Sequence, residues 1–319
     1  KRINAAAAVA LGDFVEGDHF VMHDGRPVII DQVSHKVMRD PRTALESRWH
    51  DIAPAIEAAM IKKYESLGLR HDFVVHGNSD TATSVTLREV LQRRVESLTG
   101  TSGTVRNVAD VLSQVYGTGE AVAIPRTKEH RLEYGGAIVA EDQQGKLINL
   151  VENLVRIHRD ENLPQLVPAQ RNSDVDRIHT ELSKQLPDAS IRVVDAKWIL
   201  EQGVDWEDRL HEIVESAGEP GTITIINMQG ARGNDYKVTD AISRAGGIVA
   251  HLYGRSPLSE DVDIQARNRV ARNGQRGRVH EYLAFDDAVF DRPDHPLAQL
   301  VITRYRDAEA AYRAEPGDD

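Results

Sequence analysis

Hydrophobic positions fall into two regimes along the chain. From about residue 104 onward, short apolar runs alternate with helical stripes. The strand-like runs are Ala121–Ile124, Ala137–Val139, Gln165–Val167, Ile191–Val194, Thr222–Ile226, Ile248–Leu252 and Val279–Phe285. Between them the pattern predicts helices over 104–115, 143–158, 173–186, 205–216 and 259–272. The 143–158 stretch places Leu147, Leu150, Val151, Leu154, Val155 and Ile157 near the 3.6-residue period. Strands separated by helices of 10–15 residues predict right-handed βαβ units and a mainly parallel sheet. Ile223-Thr-Ile-Ile226 is apolar on both sides, as a strand covered on both faces requires.

Before residue 105 the signals are mixed. Ile3–Phe14 is Ala-rich and helical in pattern, and His19–Met22 with Pro27–Ile30 around Asp24-Gly25 predicts a hairpin. Pro41–Leu67 reads as a long helix broken near Pro54 and followed by Gly68 as a cap. His71–Val75 and Ser84–Thr86 read as strands, and Leu87–Val95 as an amphipathic helix. After Pro293 and Pro296, Leu297–Arg313 reads as a tail helix with Leu300, Val301, Tyr305 and Tyr312 as contact residues.

The 319 residues suffice for about two domains, and 40% hydrophobic with 28% charged is an ordinary globular balance. No apolar run is long enough to span a bilayer, and no secretory signal is visible. The chain opens on Lys1-Arg2 without an initiator Met, which reads as a cut in a longer protein. The absence of cysteine excludes disulfides, thiolate zinc sites and cysteine nucleophiles, and suits a cytosolic protein. A net charge of −11 argues against nucleic acid binding over the whole surface. The one dense basic strip runs from Arg267 to Arg278. His19 and His23 would stand about 13 Å apart on an extended strand, and His71 and His76 on opposite faces, so no metal site is expected. No Gly-x-Ser-x-Gly elbow or strand-borne Gly-x-Gly-x-x-Gly occurs, and Trp49, Trp198 and Trp206 are too scattered to form a stacking platform.

The densest chemistry lies late in the chain. A buried strand runs into Asn227-Met-Gln-Gly230-Ala-Arg232-Gly233-Asn-Asp235, and Asp263-Ile-Gln265-Ala-Arg267-Asn-Arg269-Val-Ala-Arg272-Asn-Gly274 follows. The first resembles the Asn-Met-Ala-Gly-Arg-Gly-Thr-Asp loop of the SecA preprotein translocase ATPase family, and the second its arginine-finger motif. Other segments carry the same resemblance: Ile3-Asn-Ala-Ala with His19–Asp31, Ser97-Leu-Thr-Gly-Thr101 and Asp195-Ala-Lys197. It extends over about residues 1–287.

The resemblance implies an α/β fold with a RecA-like parallel sheet and flanking helices, preceded by a smaller α+β region. The expected divisions are 1–105, the end of a cross-linking domain and of a first motor domain; 106–287, a second motor domain; and 288–319, a helical tail. It implies ATP with Mg2+ shared with an upstream motor domain, with Arg269 and Arg272 approaching the terminal phosphate. Gly230, Arg232, Gly233, Asp235 and Gln265 would help hold the nucleotide. A preprotein or membrane translocon would be the partner, no nucleic acid would be bound, and the place would be the cytoplasm or the inner face of the membrane. Guanidinium suits that task because the transferred phosphoryl group spreads negative charge over its oxygens.

The chain also departs from the family pattern. Ala231 is an extra loop residue, Asn268 and Ala271 replace glycines, and Glu260 and Asp261 replace arginines. Gln32 and Lys36 replace a Glu and an Arg, and the family's long helical scaffold gives way to a short tail. No Gly-x4-Gly-Lys-Ser/Thr occurs; Gly145-Lys146 is followed by Leu147. The isolated chain is therefore expected to lack turnover. The alternative is a non-catalytic protein-interaction module on the same scaffold. A nucleic-acid helicase is disfavoured by the acidic charge.

Overall fold

The computed structural model describes residues 14–23, 26–31, 37, 52–75, 86–102, 109–227, 234–256, 260–290, 299–300, 303–304 and 307. The expected helix over Ile3–Phe14 except for Phe14, the Asp24-Gly25 turn, Ser84 and Val85, and nearly all of the tail helix lie outside those residues.

The early part holds the antiparallel hairpin of β1 (Phe20–His23) and β2 (Arg26–Ile29), with Phe20 opposite Ile29. Helix α1 (Ile52–Ser66) has Pro54 in its first turn, where a missing N–H costs nothing; the part of the expected 41–67 helix before residue 52 lies outside the described residues. Helix α2 (Leu87–Arg94) opens on a capping box between Thr86 and Glu89. Residues 71–75, expected as a strand, have no strand partner among the described residues, although the His71 ring stacks on Phe73. Helix α3 (Ala109–Tyr116) leads to 117–130, which is neither helix nor strand. The expected strand at Ala121–Ile124 is therefore unpaired, with Val122 and Ile124 each 82% exposed.

The α/β, RecA-like unit then runs β3 (Arg131–Ala140), α4 (Gln143–Asp160), β4 (Gln165–Ala169), α5 (Asn172–Gln185), β5 (Ile191–Val194), α6 (Ala196–Glu201), α7 (Trp206–Ser216) and β6 (Ile223–Asn227). It closes with α8 (Asp240–Ala245), β7 (Ile248–Tyr253), α9 (Glu260–Arg267) and β8 (Arg276–Ala284). The sheet has six parallel strands in the order β3-β8-β7-β4-β6-β5. The short helices α6 and α8 were not expected, and α9 stops at Arg267 where the pattern predicted a helix to 272.

Strand order dictates the layers. The chain moves one way across the sheet from β3 to β4 to β5, then back through β6, β7 and β8. Right-handed crossovers therefore put α4 and α5 on one face and the later helices on the other. Side chains follow that division. Leu150, Leu154, Ile178 and Leu182 pack with Val167 and Ile225. Leu210, Val214, Ala266 and Val270 pack with Leu166, Ile226, Ala250 and Leu252. Neighbouring strand residues such as Leu166 and Val167 point into different cores, so β4 and β6 are largely apolar on both sides.

Across the first face runs a buried polar chain with one consistent direction. Asn153 donates to the Tyr282 hydroxyl at 2.6 Å, and that hydroxyl meets His251 Nδ1 at 3.0 Å. His251 Nε2 meets Gln165 Oε1 at 3.0 Å, and Gln165 donates to the Leu154 carbonyl at 3.0 Å. The chain needs a neutral imidazole with its proton on Nε2. Burial, then the neighbouring His280, holds the His251 pKa well below its ordinary value.

Candidate functional site

The arginine motif lies at the amino-terminal ends of the strands. Helix α9 ends at Arg267, and a loop turns the chain into β8 nine residues later. Three residues of that loop adopt left-handed backbone: Ala271 and Asn273 at φ 57°, and Gly274 at φ 81°. An alanine pays about 1–2 kcal/mol for that conformation, and a glycine does not. The loop is pinned from below by Gly277, where an added Cβ would stand 2.8 Å from the Ala271 nitrogen and 3.1 Å from Val270 Cβ.

Both arginines reach residues 234–235, which precede α8. Arg269, only 7% exposed, donates from Nη1 to the Asn234 carbonyl at 3.1 Å. Arg272 donates from Nη1 to the same carbonyl at 3.2 Å and from Nε to the Asn268 carbonyl at 2.8 Å. Its Nη1 also stands 3.3 Å from Asp235 Oδ1, with both side chains partly exposed. Gln275 donates to the Val238 carbonyl at 2.8 Å, so loop and strap are stitched at two levels. Beneath them Tyr236 is buried, and desolvation pushes its pKa up to about 12.

A cleft of about 1730 Å³ opens at this end of the sheet. Asp235, Ile264, Asn268, Ala271, Arg272, Asn273 and Gly274 form one wall. Leu98–Ser102, the start of α3 and the extended segment 118–130 form the other. Of the expected site residues, Arg272 and Asp235 line the cleft. Arg269 stands behind them, and Gln265 is not among the lining residues. Gly230, Arg232 and Gly233, with the extra Ala231, lie outside the described residues.

A charge cluster supports the motif helix from behind. Asp263 accepts the Ser256 amide at 2.9 Å and pairs with Arg255 at 3.7 Å. Arg255 also pairs with the buried Glu281, which takes Arg267 at 3.4 Å and the Tyr134 hydroxyl at 3.0 Å. Burial raises the Asp263 pKa to about 6, against the pull of the Ser256 amide and Arg255. Sequence reasoning placed Asp263 in the motif but missed Arg255, Glu281 and Tyr134. They sit at irregular spacings on three other segments, so only the sheet brings them together. Among the described residues, no group of three or more His, Asp and Glu could hold a metal ion, and no helix is long and apolar enough to cross a membrane.

No protein-family model matches the chain. Curated relatives do. The protein translocase subunit SecA of Mycoplasma pneumoniae is 24% identical over 304 residues, covering 95% of this chain and 34% of the relative. SecA 2 of Chlorobium chlorochromatii is 25% identical over 95% of the chain and 41% of the relative, and Salinibacter ruber SecA 25% identical over 84% and 21%. The chain thus spans between a fifth and two fifths of the length of these relatives. Among solved structures, Escherichia coli DEAD-box protein SrmB bound to RraA aligns with 50% of the chain and 79% of its own, at 19% identity and a TM-score of 0.34. Sequence similarity that runs through nearly the whole chain, hairpin and parallel sheet alike, makes it a divergent relative of the SecA protein translocase family.

Proposed function

We propose that the chain acts as the second motor half of a SecA-like ATPase, closing on ATP and Mg2+ whose phosphate-binding loop is carried by another motor domain. One observation carries the reading. Arg272 lines an open cleft together with Leu98–Thr101, the segment that resembles the end of a first motor domain. The electrostatics suit exchange of partners. A half-exposed pair such as Arg272–Asp235 contributes about 1 kcal/mol or less, so a phosphate oxygen can replace the carboxylate at small cost. Arg269 is buried on a carbonyl and is suited to fixing the 234–235 strap. On this reading Arg272 meets the phosphate, and Arg269 with Asp235 couples nucleotide state to the loop. Gly230, Arg232, Gly233 and Gln265 remain proposed nucleotide-side residues. Energy released at the cleft would serve movement of a preprotein at a translocon, from the cytoplasmic side.

In the full-length protein, Arg272→Ala lowers kcat of ATP hydrolysis by roughly 10³-fold, the scale on which an arginine stabilises phosphoryl transfer. Arg269→Ala also lowers it. The isolated chain shows no saturable phosphate release. The second reading, a non-catalytic interaction module, is favoured by Glu260 and Asp261 at positions where the family has arginines. Unaltered hydrolysis in both variants with loss of partner binding selects it.

A further inference from the structure

The second wall of the cleft carries cations that the arginine motif does not account for. Segment 118–130 contributes Arg126 and Lys128 to the lining, on a different stretch of chain from Arg272. The Lys128 stem lies against Gly274, where an added Cβ would meet its Cδ at 3.5 Å and its Cβ at 3.6 Å. That contact draws the lysine to the turn that presents Arg272. Neither Arg126 nor Lys128 has an ion-pair partner among the described residues. The lining also holds three carboxylates, Glu120, Glu129 and Asp235. Two of these are engaged: Glu129 accepts from Arg131 Nε at 2.8 Å, and Asp235 pairs with Arg272. Pro125 fixes its own φ and biases Ile124 to extended backbone, so the two cations follow a stiff step in segment 118–130, a second strap beside the 234–235 one.

We propose that Arg126 and Lys128 grip the phosphates of a nucleoside triphosphate from the 118–130 strap, against Arg272 on the facing loop. The inference rests on the nucleotide reading above and adds a binding contribution from outside the arginine motif. Three cations lining one cleft from two segments suit a chain of phosphates better than a single carboxylate, because each linked phosphate brings its own charge and acceptor oxygens. Exposed apolar Val122 and Ile124, earlier on the same strap, offer a surface for the base.

The test titrates the whole 319-residue chain with MgATP and, separately, with inorganic tripolyphosphate, following Kd by calorimetry. Arg126→Gln/Lys128→Gln is compared with Arg272→Gln, and circular dichroism melting verifies that each variant is folded. The expected result is millimolar or tighter binding of both ligands, weakened at least fivefold by the strap variant and by Arg272→Gln. Unchanged affinity in the strap variant beside a loss in Arg272→Gln overturns the strap grip and leaves the motor reading standing. Unchanged affinity in both variants sinks the two together. Loss of ATP binding alone, with tripolyphosphate unaffected, assigns the strap to the base and overturns the phosphate contact. No saturable binding of either ligand up to 10 millimolar, a concentration chosen on the order expected for a weak polyanion site, also overturns the strap grip; the kcat test in the full-length protein then decides the motor reading by itself.

Discussion

The two ends of the parallel sheet differ in how they treat their polar groups. At the carboxyl ends of the strands the groups bind one another. Asn172 Oδ1 accepts the Ala196 amide and the Asn227 side chain, each at 2.9 Å, tying three strand ends together. Asp195 caps α6 through the Trp198 amide at 2.7 Å. The hairpin adds a lid. Val21, Val28 and Ile30 pack on Ala196 and Leu200, and Asp18 accepts from the Ser173 amide and hydroxyl. At the amino ends, by contrast, Arg272, Arg126 and Lys128 face an open cleft. Open α/β sheets usually bind ligands at the carboxyl ends, where the strand order reverses. Here the reversal falls beside β4, and among the described residues Asn172, Ala196 and Asn227 bind one another there. The difference is that the open, cationic cleft lies at the amino end, which is the end the proposed nucleotide reading uses.

The comparison breaks most sharply at Lys146. It is 3% exposed, pairs with Asp287, and places Nζ 4.3 Å over the Tyr253 ring. Lys146→Ala leaves a buried carboxylate unpaired and costs about 3–5 kcal/mol, read as a fall in the denaturant midpoint. Replacing both partners, as Lys146→Met with Asp287→Leu, recovers most of that loss. If the single variant is as stable as the parent, the carboxyl end is not closed by this pair.

Much of this contrast was legible in the sequence, and the reason is physical. Buried parallel strands write their own signature, so β4 to β8 stand within a few residues of the expected runs. The arginine loop was readable because Arg267, Arg269 and Arg272 lie in the one dense basic strip of an acidic chain. What was not legible depends on pairing at a distance. Ala121–Ile124 and His71–Val75 have strand-like composition, yet a strand exists only with a partner, and neither finds one among the described residues. Helix α9 ends at Arg267 and could not have reached 272, because Ala271 turns left-handed, which alanine gives no sign of doing. Lys146 looked like a failed phosphate loop after Gly145; its partner Asp287 lies 141 residues away.

A second contrast sits between the two ends, in the His251 chain. The folded pKa of His251 is depressed by burial first, with His280, Arg156 and Arg278 adding to it. The unfolded chain therefore takes up this proton near pH 6.5 while the folded one does not. Stability from this group is complete above about pH 6.5. It falls by up to about 1.4 kcal/mol per pH unit below that, until the folded pKa is reached. His251→Gln keeps a polar side chain and removes the titration. The difference in unfolding free energy between parent and variant should then shift in the variant's favour between pH 6.5 and 5. A difference that is flat with pH means the imidazole is not held neutral.

The smallest effect sharpens the amino end. Ala271 is buried at φ 57°, a left-handed conformation that favours glycine. Ala271→Gly removes a left-handed strain of about 1–2 kcal/mol. It loses a buried methyl and adds backbone freedom to the unfolded chain, together about 1–2 kcal/mol in the other direction. The net change in stability is therefore within about 1 kcal/mol of zero, measurable by denaturant unfolding. Its value lies in the second readout. If the loop's geometry is set by Gly277 beneath it and by Arg269 on the Asn234 carbonyl, the Arg272–Asp235 contact survives the change. The Arg272 side-chain resonances then keep their shifts in an NMR comparison. If instead the Ala271 methyl holds the loop in place, those resonances move and broaden. The arginine then belongs to a mobile loop, and the cleft at the amino end loses its fixed cation.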